Sequence, residues 1–206
     1  MLYFATPSAP RVREAMHAGL LGAIDTPKQQ NRLDDVAYWC ADNGCYGKGY
    51  PGDLGYLNWL AKRQPDVSRC KFATAPDVVG DAKATLKRSA PFLPIIRAMG
   101  YPAALVAQDG LESLIVPWDS FDVLFIGGTT EWKLGDGAHM LAFDAKAEDK
   151  WVHMGRVNSR KRLRYAHSIG CDSADGTLLA FGPDFHLPRL LGWLDEINGT
   201  SMIVTS

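Results

Sequence analysis

Acidic residues recur in this sequence where short apolar runs end. Asp42 closes the run Val36-Ala37-Tyr38-Trp39-Cys40 and is followed by an Asn43-Gly44 turn and the ring of Tyr46. An acid there, beside a ring that can stack on something flat, is one reading. An Asn-Gly turn whose aspartate caps the backbone is the other. Further run ends carry Asp25, Asp77, Gln108-Asp109, Gly127-Gly128, Arg156, and the segment from Asp172 to Asp175. Some of these acids are caps, because Asp and Gly favour loop starts in any α/β protein. Several carboxylates around one rim raise at least one pKa through like-charge repulsion. Paired carboxylates support two anomeric chemistries: glycoside hydrolysis, or base exchange on a nucleoside. In the second, one carboxylate attacks C1′ and another shuttles the proton of the departing and incoming bases. Exchange also needs a flat pocket, for which Tyr46, Gln108 and Gly127-Gly128 supply a ring, an amide and backbone N–H groups. His153 and His167 have no nucleophile paired with them in sequence and read as structural. No Ser-His-Asp or Cys-His pattern stands out.

Eight short apolar runs must position these groups. They are Leu2–Ala5, Leu20–Ile24, Val36–Cys40, Cys70–Ala75, Ala103–Ala107, Val123–Ile126, Trp151–Met154 and Ser168–Asp172. Helical segments lie between them. Pro10–Ala18, Leu54–Arg63, Asp81–Met99, His139–Ala147, Ser159–His167 and Leu187–Ile197 carry that pattern. Asp81 and Asn158 stand as caps, and Pro91 and Pro94 break the third. No run alternates strictly with polar residues, which suits strands buried on both faces. Eight βα units predict a compact (β/α)8 TIM-type barrel with its site where strands end and βα loops begin. A doubly wound sheet is the competitor, but no Gly-x-Gly-x-x-Gly follows the first run.

The 206 residues suit one catalytic domain, 1–206. Hydrophobic residues make up 47% and charged residues 22%, an ordinary globular balance. A net charge of −1 means that any nucleic-acid contact must be local. The basic run Arg156, Arg160, Lys161, Arg162, Arg164 is the local candidate; it reads as a solvated helix face or as a set of phosphate contacts. No apolar run is long enough to span a membrane, and the N-terminus does not read as a secretory signal. Cys40, Cys45, Cys70 and Cys171 fit no zinc or disulfide spacing and read as thiols in a reducing cytoplasm.

Together these residues resemble the guanine transglycosylases, which exchange guanine for a 7-deazaguanine. The likeness runs from the third strand to the eighth. It is nearest to the short phage and bacterial branch that modifies DNA. Asp42-Asn43-Gly44-Cys45-Tyr46 is similar to the family's Asp-Ser-Gly-Gly-(Phe/Tyr), which implies that Asp42 is the acid/base and Tyr46 the stacking ring. Asp77 and Gln108 resemble the residues that recognise the base, and Gly127 and Gly128 the glycines whose backbone holds its carbonyl. Asp175, in Asp172-Ser173-Ala174-Asp175, resembles the nucleophile of Asp-Met-Phe-Asp, with Asp172 the competing candidate. Val106 and Met154 would flank the base opposite Tyr46. The family's Cys-x-Cys-x-x-Cys…His zinc site is missing, so the resemblance implies a barrel without the zinc subdomain. It implies no metal or cofactor beyond a 7-deazaguanine co-substrate such as preQ0. The expected partner is DNA with a flipped or unpaired guanine, in the cytoplasm (the host's, if phage-encoded). A homodimer is compatible with the residues. Exchange on tRNA, hydrolysis by a carboxylate pair, and non-enzymatic nucleic-acid binding are the alternatives.

Overall fold

The computed structural model describes residues 1–47 and 49–203, the side chains of 200–203 excepted. The expected single domain extends to 206, so its last three residues lie outside that range, as does Lys48. Eight parallel strands close into a barrel in sequence order, β1 beside β8. They are β1 Leu2–Ala5, β2 Gly22–Asp25, β3 Trp39–Ala41, β4 Cys70–Thr74, β5 Ala103–Ala107, β6 Val123–Ile126, β7 Trp151–Met154 and β8 Ser173–Asp175. The helices are α1 Pro10–His17, α2 Asp53–Lys62, α3 Ala82–Ser89, α4 Phe92–Ala98, α5 Thr130–Lys133, α6 Asp136–Ala147, α7 Arg160–Ser168 and α8 Pro183–Ile203. Among the described residues no α-helix follows β2 or β5, so the chain reaches β3 and β6 through residues 26–38 and 108–122, and two of the expected eight βα units lack their helix.

Local chemistry sets the helix ends. The Asp81 side chain accepts from Ala84 N and starts α3. Pro91 forms the N-cap of α4, splitting the segment expected to be one broken helix. Pro94 then falls in the first turn of α4, where its missing N–H costs nothing. Ser159, not Asn158, caps α7 by accepting from Arg162 N. Asn158 instead accepts from Thr177 N at 2.7 Å, tying the loop after β7 to the loop after β8.

Strand parity decides what each side chain sees. One set points into the barrel and packs as Phe4, Cys40, Phe72, Ala104, Val106, Val123 and Phe125, with Leu2, Ile24 and Trp151 at its edge. Three phenylalanines plug the centre: Phe72 meets Phe4 at 5.8 Å and Phe125 at 6.0 Å, both edge to face. The other set points outward and meets the helices in a larger layer that includes Tyr3, Ala41, Leu105, Ile126, Met154 and Ala174. Two residues beyond an inward position, the chain again points inward, now above the plug. Cys40 thus leads to Asp42, Val106 to Gln108, Phe125 to Gly127 and Ser173 to Asp175.

Three expectations are corrected, the first two by this parity. Met154 is outward and fully buried among helix-facing side chains, so it does not flank a base. Asp25 is also outward; it is buried against Arg63, 2.6 Å from Nη2. The eighth strand begins at Ser173, not Ser168, because Ser168 ends α7 and Gly170 turns the chain at φ +87°. Asp172 therefore lies at the opposite end of β8 from Asp175. There it pairs with Lys146 and accepts from Val152 N.

Candidate active site

A cavity of about 480 Å³ opens at the carboxyl end of the barrel, within the range of small-molecule sites. Of the site residues expected from sequence, Asp42, Tyr46, Asp77, Val106, Gln108, Gly127, Gly128, Arg156, Arg162 and Asp175 line it. Val106 and Phe125 form its apolar floor. Met154, Arg160, Lys161 and Arg164 do not line it. Arg160 and Arg164 instead pair with Glu196 of α8 on the outer surface, at 2.6 and 3.2 Å. Lys161 lies exposed on that same outer patch. The basic run is thus divided by the turn of its helix: Arg156 and Arg162 face the cavity, and the other three face away.

Asp175 ends β8 and is held at both oxygens. Oδ1 accepts from Arg156 N at 3.1 Å, and Oδ2 lies 2.9 Å from His153 Nε2. His153 is fully buried on the phenylalanine plug, its ring 4.5 Å from Phe125 and 4.9 Å from Phe72. Its Nδ1 lies 2.8 Å from Ser173 Oγ, which accepts from Trp151 Nε1 at 2.8 Å. The indole can only donate, and an ionised carboxylate can only accept. The proton order that satisfies every group with a neutral imidazole follows. Ser173 Oγ takes the indole proton's bond and donates to Nδ1, and Nε2–H donates to Asp175. A relay of three inward positions on β7 and β8 therefore orients one carboxylate. Sequence reading treated His153 as structural and did not pair it with Asp175. The pairing is set by barrel register, β7 lying beside β8 with His153 opposite Ser173, and the run read as the eighth strand stopped one residue short of Ser173.

Asp42 stands at the end of β3, half-buried, with Oδ1 accepting from Gly44 N at 2.6 Å. Gly44 makes that turn at φ +79°, where a side chain would be strained. The turn reading and the site reading are therefore both met by one residue. Burial raises the Asp42 carboxyl to about 6, and the charges of Asp175 and Asp77 push the same way against the Gly44 hydrogen bond.

Asp77 is 5% exposed. Asn43 Nδ2 donates to Oδ1 at 3.1 Å and Gln108 Nε2 to Oδ2 at 2.6 Å. Burial raises its pKa; the two amide hydrogen bonds oppose this. Gln108 Oε1 accepts from Gly80 N at 2.9 Å, which fixes the amide's orientation. Asn43 is more than a turn residue. Its side chain also donates to Ala75 O at 2.8 Å and accepts from Cys45 N at 2.7 Å. It fastens the loop after β3 to the loop after β4. Asp109, by contrast, caps the next loop by accepting from Thr129 N and Oγ1, both at 2.6 Å.

Gly127 and Gly128 need to be glycines. A Cβ on Gly127 would come within 2.7 Å of Val106, and one on Gly128 within 2.2 Å of Trp132, at φ +46°. Their carbonyls face the Arg156 guanidinium: Gly127 O accepts from Nη2 at 3.0 Å, and Gly128 O accepts from the same nitrogen. Gly127 N–H is spent on Ala107 O at 3.0 Å. In this pair the carbonyls, not both N–H groups, are turned to the cavity side. Behind Arg156, Lys133 is buried with Nζ donating to Gly155 O at 2.5 Å. Burial pushes this amine down to about 7, Arg156 adding to the fall and Asp175 opposing it.

Among the described residues, no group of three or more His, Cys, Asp or Glu is arranged to hold a metal ion, and no helix is long and apolar enough to cross a membrane. Cys40, Cys70 and Cys171 are buried free thiols, and Cys45 is a half-buried one.

No protein-family model matches the sequence, and no curated protein matches it. The structure is similar to 3-hexulose-6-phosphate synthase from Salmonella typhimurium, with a TM-score of 0.52 at 12% identity, over 95% of this chain and 99% of that one. It is also similar to the Bacillus subtilis YkuI protein, which has an EAL domain and was solved with c-di-GMP and calcium. There the TM-score is 0.48 at 14% identity, over 93% of this chain and 47% of that one. The first likeness, at 12% identity, extends to the fold and to nothing of the chemistry.

Proposed function

We propose that this protein is an enzyme, a guanine transglycosylase that exchanges guanine in DNA for a 7-deazaguanine. The observation that carries the reading is the opening of Asp175 and Asp42 into one cavity whose wall holds the Asp77–Gln108 pair and whose rim holds Tyr46. Asp175 is the nucleophile. The hydrogen bonds from His153 and the Arg156 N–H aim its carboxylate and leave each oxygen a further lone pair. One oxygen attacks C1′ of the deoxyguanosine, the bond to guanine breaks, and the base leaves with a proton from Asp42. A carboxyl raised to about 6 can hold that proton near neutrality and give it up. The incoming 7-deazaguanine returns its pyrrole proton to Asp42 as its nitrogen attacks C1′. That step releases Asp175 and restores a glycosidic bond. Asp77 and the free N–H of the Gln108 amide offer an acceptor and a donor to the base edge, and Tyr46 offers it a face. The reacting sugar must leave the stack for Asp175 to reach it. Arg162, which lines the cavity at the start of α7, offers a cation to the flanking phosphate.

The test is incorporation of labelled guanine and of a 7-deazaguanine into DNA, beside tRNA, by the wild type and by Asp42→Asn and Asp77→Ala. Exchange into DNA that falls sharply in both variants supports the reading. Exchange into tRNA alone overturns the substrate. Base release without incorporation overturns transglycosylation in favour of hydrolysis.

A further inference from the structure

Arg156 lies where a ligand of this cavity should lie. Its guanidinium is stacked 4.5 Å over the Tyr46 ring. The same group donates to the carbonyls of Gly127 and Gly128. One aromatic face and two backbone acceptors form a recognition set for a flat group with an N–H edge. Here a side chain of the protein satisfies that set, bridging the cavity from the loop after β7 to the loop after β3. The backbone of Arg156 does separate work. It holds the left-handed conformation, φ +60°, and turns its N–H onto Asp175 Oδ1. A non-glycine residue in that region is uncommon and persists where its surroundings enforce it. The side chain can therefore move without disturbing the nucleophile, because the contact with Asp175 is made by the backbone.

We propose that Arg156 is a self-ligand: its guanidinium occupies the slot of a flat heterocyclic base in the free protein and is displaced when the base binds. Displacement exposes the Tyr46 face and the two carbonyls together, and it frees a cation at the cavity rim for a phosphate. The identity of the base as guanine or a 7-deazaguanine rests on the function proposed above; the competition for the slot does not. A closed majority state taxes apparent affinity by the open fraction. With an open fraction of about 10% or less, removing the guanidinium tightens base binding by about tenfold or more.

The experiment is calorimetric titration of the full chain and of Arg156→Asn. Asparagine tolerates the left-handed backbone and so keeps the N–H on Asp175. Free guanine and methylguanidinium are titrated separately and then in competition, with melting curves to confirm folding. Guanine binding that is about tenfold tighter in Arg156→Asn supports the proposal, as does methylguanidinium binding that appears only in the variant. A residue that merely supported the fold would show the opposite, weaker binding on removal. Methylguanidinium binding to the variant without guanine binding to either protein keeps the slot and removes the guanine reading. Guanine that binds the folded variant equally or more weakly overturns the proposal. So does methylguanidinium that binds neither protein, or both alike.

Discussion

Replacing Asp42 by asparagine should make the protein more stable near neutral pH while sharply reducing exchange. The carboxyl is raised from 3.8 to about 6 in the fold. Its unfolded value is the lower one, so between pH 4 and 6 the folded state binds more protons than the unfolded state. Stability contributed by the neutral acid is fully present below about pH 4 and is lost as pH rises through 6. The gap of about two pH units corresponds to about 3 kcal/mol, at ~1.4 kcal/mol per tenfold. Asp42→Asn keeps the acceptor for Gly44 N and removes the buried charge. For a chain of 206 residues, about 3 kcal/mol raises the melting temperature by roughly 6–12 °C. The assay is thermal unfolding of both proteins from pH 4 to 8. The gain should be greatest above pH 7 and should vanish near pH 4. A variant that melts lower at pH 7.5, or a difference that does not change with pH, would refute the reasoning that desolvation in the fold raises the Asp42 carboxyl.

Three further outcomes follow from the same geometry. His153→Phe preserves packing on the phenylalanine plug but frees one oxygen of Asp175; kcat should fall about 10- to 100-fold with KM little changed, measured by steady-state exchange. Lys133 is held at about 7 against the ordinary 10.5, so the unfolded chain binds more protons between these values and stability should rise with pH across them. In Lys133→Met that rise, about 3–4 kcal/mol up to pH 9.5, should be absent from melting curves taken between pH 6.5 and 9.5. Arg162→Ala should reduce the salt dependence of DNA binding by about one unit of log–log slope, whereas Arg160→Ala, which loses only the Glu196 pair, should leave the slope unchanged.

Most of the barrel was legible because its strands are short apolar runs bounded by turn residues. The first, fifth, sixth and seventh runs coincide with β1, β5, β6 and β7. The eighth did not, because Ser168-Ile169 completes a turn of α7 and β8 is only Ser173–Asp175, too short and too polar to show as a run. Acids at strand ends were legible, but their side was not. Asp25 and Asp42 look alike in sequence; one residue of parity sends the first to Arg63 and the second into the cavity. Met154 fails for the same reason. His153 and Asn43 were missed because their partners, Ser173 with Asp175 and Ala75 with Asp77, lie on neighbouring strands or loops and are set by barrel register. The basic run read as one patch. Helical rotation and Glu196 of α8 divide it.

The central claim is a covalent sugar ester on Asp175. Single-turnover reaction with guanine-containing DNA, acid quench, and mass mapping of the protein test it directly. The expected result is a DNA adduct on the peptide bearing Asp175. It should be absent in Asp175→Asn, retained in Asp42→Asn at reduced yield, and discharged by 7-deazaguanine with incorporation of that base. An adduct that persists in Asp175→Asn, or exchange that proceeds in that variant at the wild-type rate, would contradict it.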